Sequence, residues 1–296
     1  MTSRALREAF HREYMTFFER AERTRRWNLF EDVPWDRLDE VPRDDRLALC
    51  AETFCGVEMF LPDYLREHLS LLAGDYGQAW FAANWGYEEA KHSLVLREYL
   101  RRTGQRTEDQ LHDYAEQILA RRWRAPHDDP RRMTGYLAVQ ELTTFVIYRK
   151  QRELARRTGD PVLAEVYRFI ARDEMAHSRF YQRMLALHLD DDRAGTLADL
   201  AHVVRTFRMP AEDLLPDYDD RVTVMRTAGV DARVFFTEVV LPLLAALGLS
   251  RGDLFSVPAE TARTGAMLPS RTGGILPSHT GGILPAQAGA VVPTEG

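Results

Sequence analysis

Only two cysteines, Cys50 and Cys55, occur in 296 residues. They lie five apart, so on a helix they face different ways, and no Cys-x-x-Cys pair is present to hold zinc or an iron–sulfur cluster. Both read as small buried residues of a reducing compartment, and electrons for any redox chemistry must come from another molecule. Long apolar runs are missing too: nothing approaches the roughly 18 residues of a membrane span. The N-terminus mixes Arg4, Arg7, Glu8 and Glu13. It has neither the apolar core of a signal peptide nor the acid-poor character of a transit peptide. Nor is there an excess of positive charge. The formal net charge is -6, which argues against nucleic acid as a partner. These absences point to a cytoplasmic protein of bacterial type.

What is present is helical. With 45% hydrophobic and 28% charged residues, the chain has enough apolar side chains for one large core. Helix punctuation is frequent. Thr107 with Gln110 forms a capping box, Asp160-Pro161 gives an N-cap with proline at the first helical position, and Gly104 and Gly159 follow arginine pairs at helix ends. The pattern predicts helices near residues 3–24, 44–73, 77–102, 107–122, 132–158, 161–190, 194–206 and 230–248. No convincing strand pair appears. Pro62 cannot donate to the carbonyl one turn earlier, at residue 58, so the first long helix should bend there.

Four glutamates and two histidines recur in one order: Glu58, then Glu89 with His92, then Glu141, then Glu174 with His177. A Glu-x-x-His triplet alone is weak evidence, and Glu8 with His11 reads as an accident. The others differ because each falls within the apolar stripe of its own helix. Glu58 follows Leu47, Ala51 and Phe54. Glu89 and His92 follow Phe81 and Trp85. Glu141 lies between Leu137 and Thr144, and Glu174 and His177 lie between Ile170 and Tyr181. Spacings of 31 residues from Glu58 to Glu89 and 33 from Glu141 to Glu174 fit two antiparallel helix pairs. The fold expected is all-α: a ferritin-like four-helix bundle with flanking helices, the order of a carboxylate-bridged dimetal site. Six ionisable groups then share one core, and an unpaired buried carboxylate costs several kcal/mol. Two divalent cations cancel four carboxylates, and oxygen-rich ligation with one nitrogen per metal suits iron or manganese.

The surroundings of these residues carry a resemblance. Val57-Glu58-Met59-Phe60-Leu61-Pro62, Trp85-Gly86-Tyr87-Glu88-Glu89-Ala90-Lys91-His92, Gln140-Glu141-Leu142-Thr143-Thr144-Phe145 and Ile170-Ala171-Arg172-Asp173-Glu174-Met175-Ala176-His177 look like the soluble acyl-[acyl-carrier-protein] desaturases. The likeness spans Trp27 to Leu249 and includes Arg208-Met209-Pro210-Ala211. It implies that Glu58, Glu89, His92, Glu141, Glu174 and His177 bind two iron ions, used as Fe2+, with dioxygen as co-substrate. Glu141 and Glu174 would be the bridging carboxylates. Thr144 matches a threonine beside the oxygen-binding face, with a backbone-bonded helix hydroxyl as the plainer reading. Asp173 matches an acid that orients a ligating histidine. Trp27 resembles a tryptophan on an electron route, with Trp35 as a competing candidate. The resemblance further implies an acyl carrier protein as substrate carrier, a ferredoxin-type electron donor and a homodimer. A hydroxylase or N-oxygenase with the same ligands, or an iron store of the bacterioferritin kind, stays open.

Basic clusters at Arg121-Arg122-Trp123-Arg124, at Arg131-Arg132, and at Arg149-Lys150 with Arg152, Arg156 and Arg157 offer docking for an acidic carrier or equally ordinary solvated faces. Composition changes near residue 256, which divides the chain into a helical domain, 1–255, and a low-complexity tail, 256–296, expected to be disordered. The tail repeats every eight residues, as in Thr272-Gly273-Gly274-Ile275-Leu276-Pro277-Ser278-His279 and Thr280-Gly281-Gly282-Ile283-Leu284-Pro285-Ala286-Gln287. Glycine and proline in every unit exclude regular helix and leave short apolar clips. Such an arm fits multivalent docking to a receptor, and resembles tags that load enzymes into protein nanocompartments.

Overall fold

The computed structural model describes residues 2–210 and 214–257. The repeats, and Ala211 of the Arg208–Ala211 motif, lie outside that range. Among the described residues every regular element is helical: α1 (Arg4–Arg20), α2 (Asp45–Glu58), α3 (Leu61–Leu72), α4 (Tyr76–Arg102), α5 (Glu108–Leu119), α6 (Pro130–Thr158), α7 (Pro161–Asp191), α8 (Arg193–Thr206) and α9 (Tyr218–Arg226). Three short helices follow, α10 (Ala232–Val234), α11 (Leu241–Ala246) and α12 (Arg251–Phe255). Wider turns extend α1 over Ala21–Arg25 and join α10 to α11 over Phe235–Val240. None of these helices is long and apolar enough to cross a membrane.

The starts of the bundle helices are written in aspartates. Asp44, Asp75, Asp129 and Asp160 each accept from a backbone N–H of the first turn of α2, α4, α6 and α7. Pro130 and Pro161 open α6 and α7, where an N–H has no intrahelical partner anyway. Gly159 closes α6 at φ +82°, a left-handed conformation that spares a glycine any Cβ clash. The Thr107–Gln110 capping box forms at α5 as expected.

Four rods, α2 with α3, α4, α6 and α7, enclose the core. The α6–α7 pair packs along its length, α2 lies on α4, and α4 meets α7. Phe81, Trp85, Leu96, Tyr148, Leu163, Tyr167 and Ile170 are almost wholly enclosed between them. Helix α1 lies across α4 and α7. Its backbone comes so close to α4 that a Cβ at Gly77 would stand 2.7 Å from the His11 nitrogen. Glu8 pairs with Arg4 on the surface, and His11 packs beside Tyr76, so the accidental Glu-x-x-His has no role in the core.

At Pro62 the expectation of a bend becomes a break. Helix α2 stops at Glu58, the Phe60 N–H reaches the Val57 carbonyl at 3.4 Å, and α3 starts at Leu61 with the proline in its first turn. The short helices at 35–40, 218–226 and 251–255 had no strong sequence period and were not expected. Docking holds them: Arg221 of α9, for example, reaches Glu52 of α2 at 3.0 Å.

Candidate metal centre

Each long rod brings one carboxylate to the same depth. Glu58 stands at the C-terminus of α2, Glu89 in the middle of α4, Glu141 on α6 and Glu174 on α7, all 6% exposed or less. His92 and His177 sit one turn beyond Glu89 and Glu174, and both rings are fully enclosed. The six residues form two overlapping groups. Glu58, Glu89, His92 and Glu174 offer ligand atoms within 4.8 Å of one another, as do Glu89, Glu141, Glu174 and His177. Glu89 and Glu174 belong to both groups. This departs from the expectation that Glu141 would bridge: the structure sets Glu141 beside His177 alone and gives the shared position to Glu89.

The histidines are mirror images in their wiring. His92 turns Nδ1 toward Glu89, at 2.9 Å, and Glu174, at 3.5 Å. His177 turns Nδ1 toward Glu89, at 3.0 Å, and Glu141, at 3.4 Å. Each Nε2 points outward to an acid of the opposite half. Asp173 on α7 stands 3.5 Å from His92, and Glu88 on α4 stands 2.7 Å from His177. Glu88 is within hydrogen-bond reach of His177, whereas His92 Nε2 is buried without a hydrogen bond; an acid bonded to the far ring nitrogen fixes the ring's orientation and raises the basicity of the near nitrogen.

Those acids are themselves held. Arg25, buried beyond α1, donates to Asp173 at 2.7 Å and to Glu88 at 2.8 Å. Arg26 also reaches Glu88. Trp27 donates its Nε1 proton to Asp173 at 2.7 Å, stacks on Phe169 and lies under the Lys91 ammonium. Trp35 instead donates to the Leu29 carbonyl, so Trp27 is the tryptophan connected to the cluster. Tyr148 donates to Glu58 at 2.9 Å. The Thr144 hydroxyl lies within hydrogen-bond reach of its own helix carbonyls and of Glu174 Oε2, 3.0 Å away.

The residues fit a pair of cations. Both oxygens of Glu141, Oε1 of Glu89 and Nδ1 of His177 are buried without a hydrogen bond. Although His177 Nδ1 and Glu89 Oε1 are 3.0 Å apart, their relative orientation makes no hydrogen bond. Burial, and then the neighbouring Glu89, push the Glu58 carboxyl well above its usual range. Burial with Glu89 and Glu141 does the same to Glu174. Four acids this close stay ionised together only around positive charge.

Glu88, Arg25 and Tyr148 were not singled out from the sequence. A signal for Glu88 was present: an acid directly precedes the ligand-like glutamate in both halves, as Glu88-Glu89 and Asp173-Glu174. Arg25 had none, since its partners lie 63 and 148 residues away.

The family model for fatty acid desaturases matches residues 33–269. The chain belongs to the fatty acid desaturase family. A Mycobacterium tuberculosis H37Rv protein named as an acyl-[acyl-carrier-protein] desaturase, DesA1, is 28% identical over 241 residues, covering 74% of this chain and 70% of its own. The chloroplastic stearoyl-[acyl-carrier-protein] 9-desaturase 6 of Arabidopsis thaliana is 31% identical over 153 residues, or 51% of this chain and 39% of its own. In structure, the M. tuberculosis protein DesA2 superposes with a TM-score of 0.64 at 20% identity, covering 85% of this chain and 98% of its own. An R2-like ligand-binding oxidase with a Mn/Fe cofactor gives 0.54 at 18% identity, over 80% and 93%. These solved structures share the ferritin-like helical fold. Family membership makes the chain a desaturase-family oxidoreductase, and the carboxylate–histidine groups support a dimetal site.

Proposed function

We propose that this desaturase-family protein uses two iron ions and dioxygen to introduce a double bond into an acyl chain carried on acyl carrier protein. The observation that carries this reading is the pair of overlapping ligand groups sharing Glu89 and Glu174. Glu58 and His92 would hold one ion, Glu141 and His177 the other, with Glu89 and Glu174 between them. When bound, the iron pair supplies the two-electron oxidation with dioxygen. The chain's own groups orient and protect. Asp173 and Glu88 hold the histidines, Tyr148 holds Glu58, and Phe17 and Phe81 pack 6.3 Å from the His177 ring and exclude water. Thr144 places a hydroxyl proton at Glu174 Oε2. In the overall reaction the acyl chain loses two hydrogens. Dioxygen takes them up with two protons and two electrons from a ferredoxin-type donor, and leaves as two waters.

The resemblance to acyl carrier desaturases supports the carrier, the donor and a homodimer as parts of the same proposal. The basic clusters support the carrier less than their sequence promised. Arg131 and Arg132 are held by Asp199, Arg149 and Lys150 by Glu238, and Trp123 is buried. The division at residue 255 and the docking role of the tail belong to this proposal too, supported by the change of composition and the repeats. Binding of the full chain to a receptor, and its loss on deleting 256–296, tests them.

The deciding experiment reduces the iron-supplied full chain without oxygen, adds dioxygen with a panel of acyl carriers, and weighs the products. Loss of two hydrogens supports desaturation. Gain of one oxygen identifies a hydroxylase, and hundreds of irons per assembly would identify a store.

A further inference from the structure

Helix α7 has an unusual outer face. Its inner face carries Glu174, His177 and Tyr181 into the core, so a solvated outer face should be polar. That face carries Arg168, Arg172, Arg179 and Arg183, but Met175 lies among them with Phe17 of α1 and Phe145 of α6 beside it, while Phe180, 4% exposed and stacked on Phe81, shows only an edge. Together they floor a groove of about 920 Å³ that runs along α7 from Arg168 to Ala186. That is about 27 Å of helix at 1.5 Å per residue.

The rim is cationic. Among the described residues Glu13 is the single acid lining it, against arginines from all three helices. Several of these are paired: Arg183 with Glu13, Arg168 with Glu165, Arg149 with Glu238. Arg20, Arg152, Arg172 and Arg179 have no acid within ion-pair distance among the described residues. The Nε atoms of Arg152 and Arg172 are buried without any hydrogen bond, and Arg172 finds only a backbone carbonyl, that of Arg25. Burial holds the Arg172 guanidinium below its ordinary value. Partly desolvated guanidinium groups with free donors are built for oxyanions. An aromatic floor beneath them is built for hydrocarbon. A long, concave groove suits a chain rather than a compact anion or a flat protein face.

We propose that the outer groove of α7 binds an anionic amphiphile, an alkyl or acyl chain ending in a carboxylate or a phosphate. The apolar chain lies on Phe17, Phe145 and Met175, and the anionic head meets the unpaired arginines. Arg25 forms part of the same wall, and its far side holds the acids of both histidines. The occupant therefore sits one side chain from the candidate metal centre without entering it. The assignment stands on the groove alone and does not depend on the desaturase reading.

Calorimetric titration of the metal-loaded full chain tests it, with dodecanoate, dodecyl phosphate, inorganic phosphate and dodecyltrimethylammonium, each below its micelle concentration. One or both dodecyl anions should bind saturably at one site per chain, which also tells carboxylate from phosphate. Inorganic phosphate and the ammonium should bind at least roughly tenfold more weakly, a difference of about 1.4 kcal/mol. The double substitution Arg20→Gln with Arg179→Gln removes two exposed cations, and circular dichroism verifies its fold. It should weaken the anion by at least roughly tenfold. Equal binding of the ammonium, or phosphate as tight as dodecyl phosphate, overturns the proposal. So does unchanged binding in the double variant, because the chain then lies elsewhere, as in a slot beside the metals. Binding of neither dodecyl anion also overturns it, and donor-dependent reduction slowed in the variant then marks a protein-docking face.

Discussion

Replacing Arg25 by methionine is the most direct challenge to the electrostatic account of the centre. Arg25 is 7% exposed and donates at 2.7 and 2.8 Å to Asp173 and Glu88, which are each 1% exposed. Methionine retains much of the stem and removes the charge. Two buried carboxylates then each lose one charge-assisted hydrogen bond, worth about 1.5–3 kcal/mol apiece. Breaking a buried ion pair from one side costs about 3–5 kcal/mol. The lower end applies, because Asp173 keeps Trp27 and Glu88 keeps Arg26 and His177. A loss near 3 kcal/mol is a large part of a typical stability of about 5–15 kcal/mol. Urea unfolding of the full chain followed by circular dichroism measures it, with Arg4→Ala as a control. Arg4 pairs with Glu8 on the surface and its loss should not register. Arg25→Lys should fall between, since one ammonium cannot fork to both acids in the same geometry. If Arg25→Met lost less than about 1 kcal/mol, the acids would not depend on Arg25 and the account would be refuted.

Glu141→Ala and His177→Ala should lose bound metal and turnover together, read by metal analysis and product mass; retention of both would remove them from the ligand set. Trp27→Phe keeps an aromatic ring on Phe169 but withdraws the proton from Asp173. It should slow donor-dependent reduction while chemical reduction proceeds at the wild-type rate, and equal slowing of both would deny it a place on an electron route. Burial pushes the Cys50 thiol up to about 12 and the Cys55 thiol up to about 11. Because raising a thiol's pKa empties its thiolate form at lower pH, neither should react with a disulfide reagent at about pH 8 until the chain unfolds; fast native labelling would contradict their burial. Gly77→Ala sets a methyl 2.7 Å from the His11 nitrogen and must part α1 from α4. A cost of about 1–3 kcal/mol in urea unfolding is expected, and no cost would show that the approach is looser than it stands.

The order of the buried glutamates and histidines was legible because it is a local signal repeated four times. A carboxylate inside a stripe of leucine and phenylalanine contradicts burial on every rod, and the contradiction resolves only if the rods converge on cations. The aspartate cap and proline at Asp160-Pro161 fixed where α7 begins, since capping involves neighbours three residues apart. Pro62 signalled the interruption after Glu58 but not its form. A missing N–H permits either a kink or two separate helices, and the packing of Phe60 into the core selects the second.

Sequence by itself determined that this protein is helical, that six named side chains enter its core, and that Glu89-x-x-His92 and Glu174-x-x-His177 are equivalent. Those are properties of one helix at a time, set by a period of 3.6 residues. Tertiary structure alone decided which carboxylates lie near both histidines, that Asp173 stands beside His92 while Glu88 stands beside His177, and that Arg25 joins those two acids. It also decided that Trp27, not Trp35, touches the cluster. Each of these pairs residues from different helices, and their distances follow from the rotation and depth of one rod against another, which no stretch of chain encodes on its own.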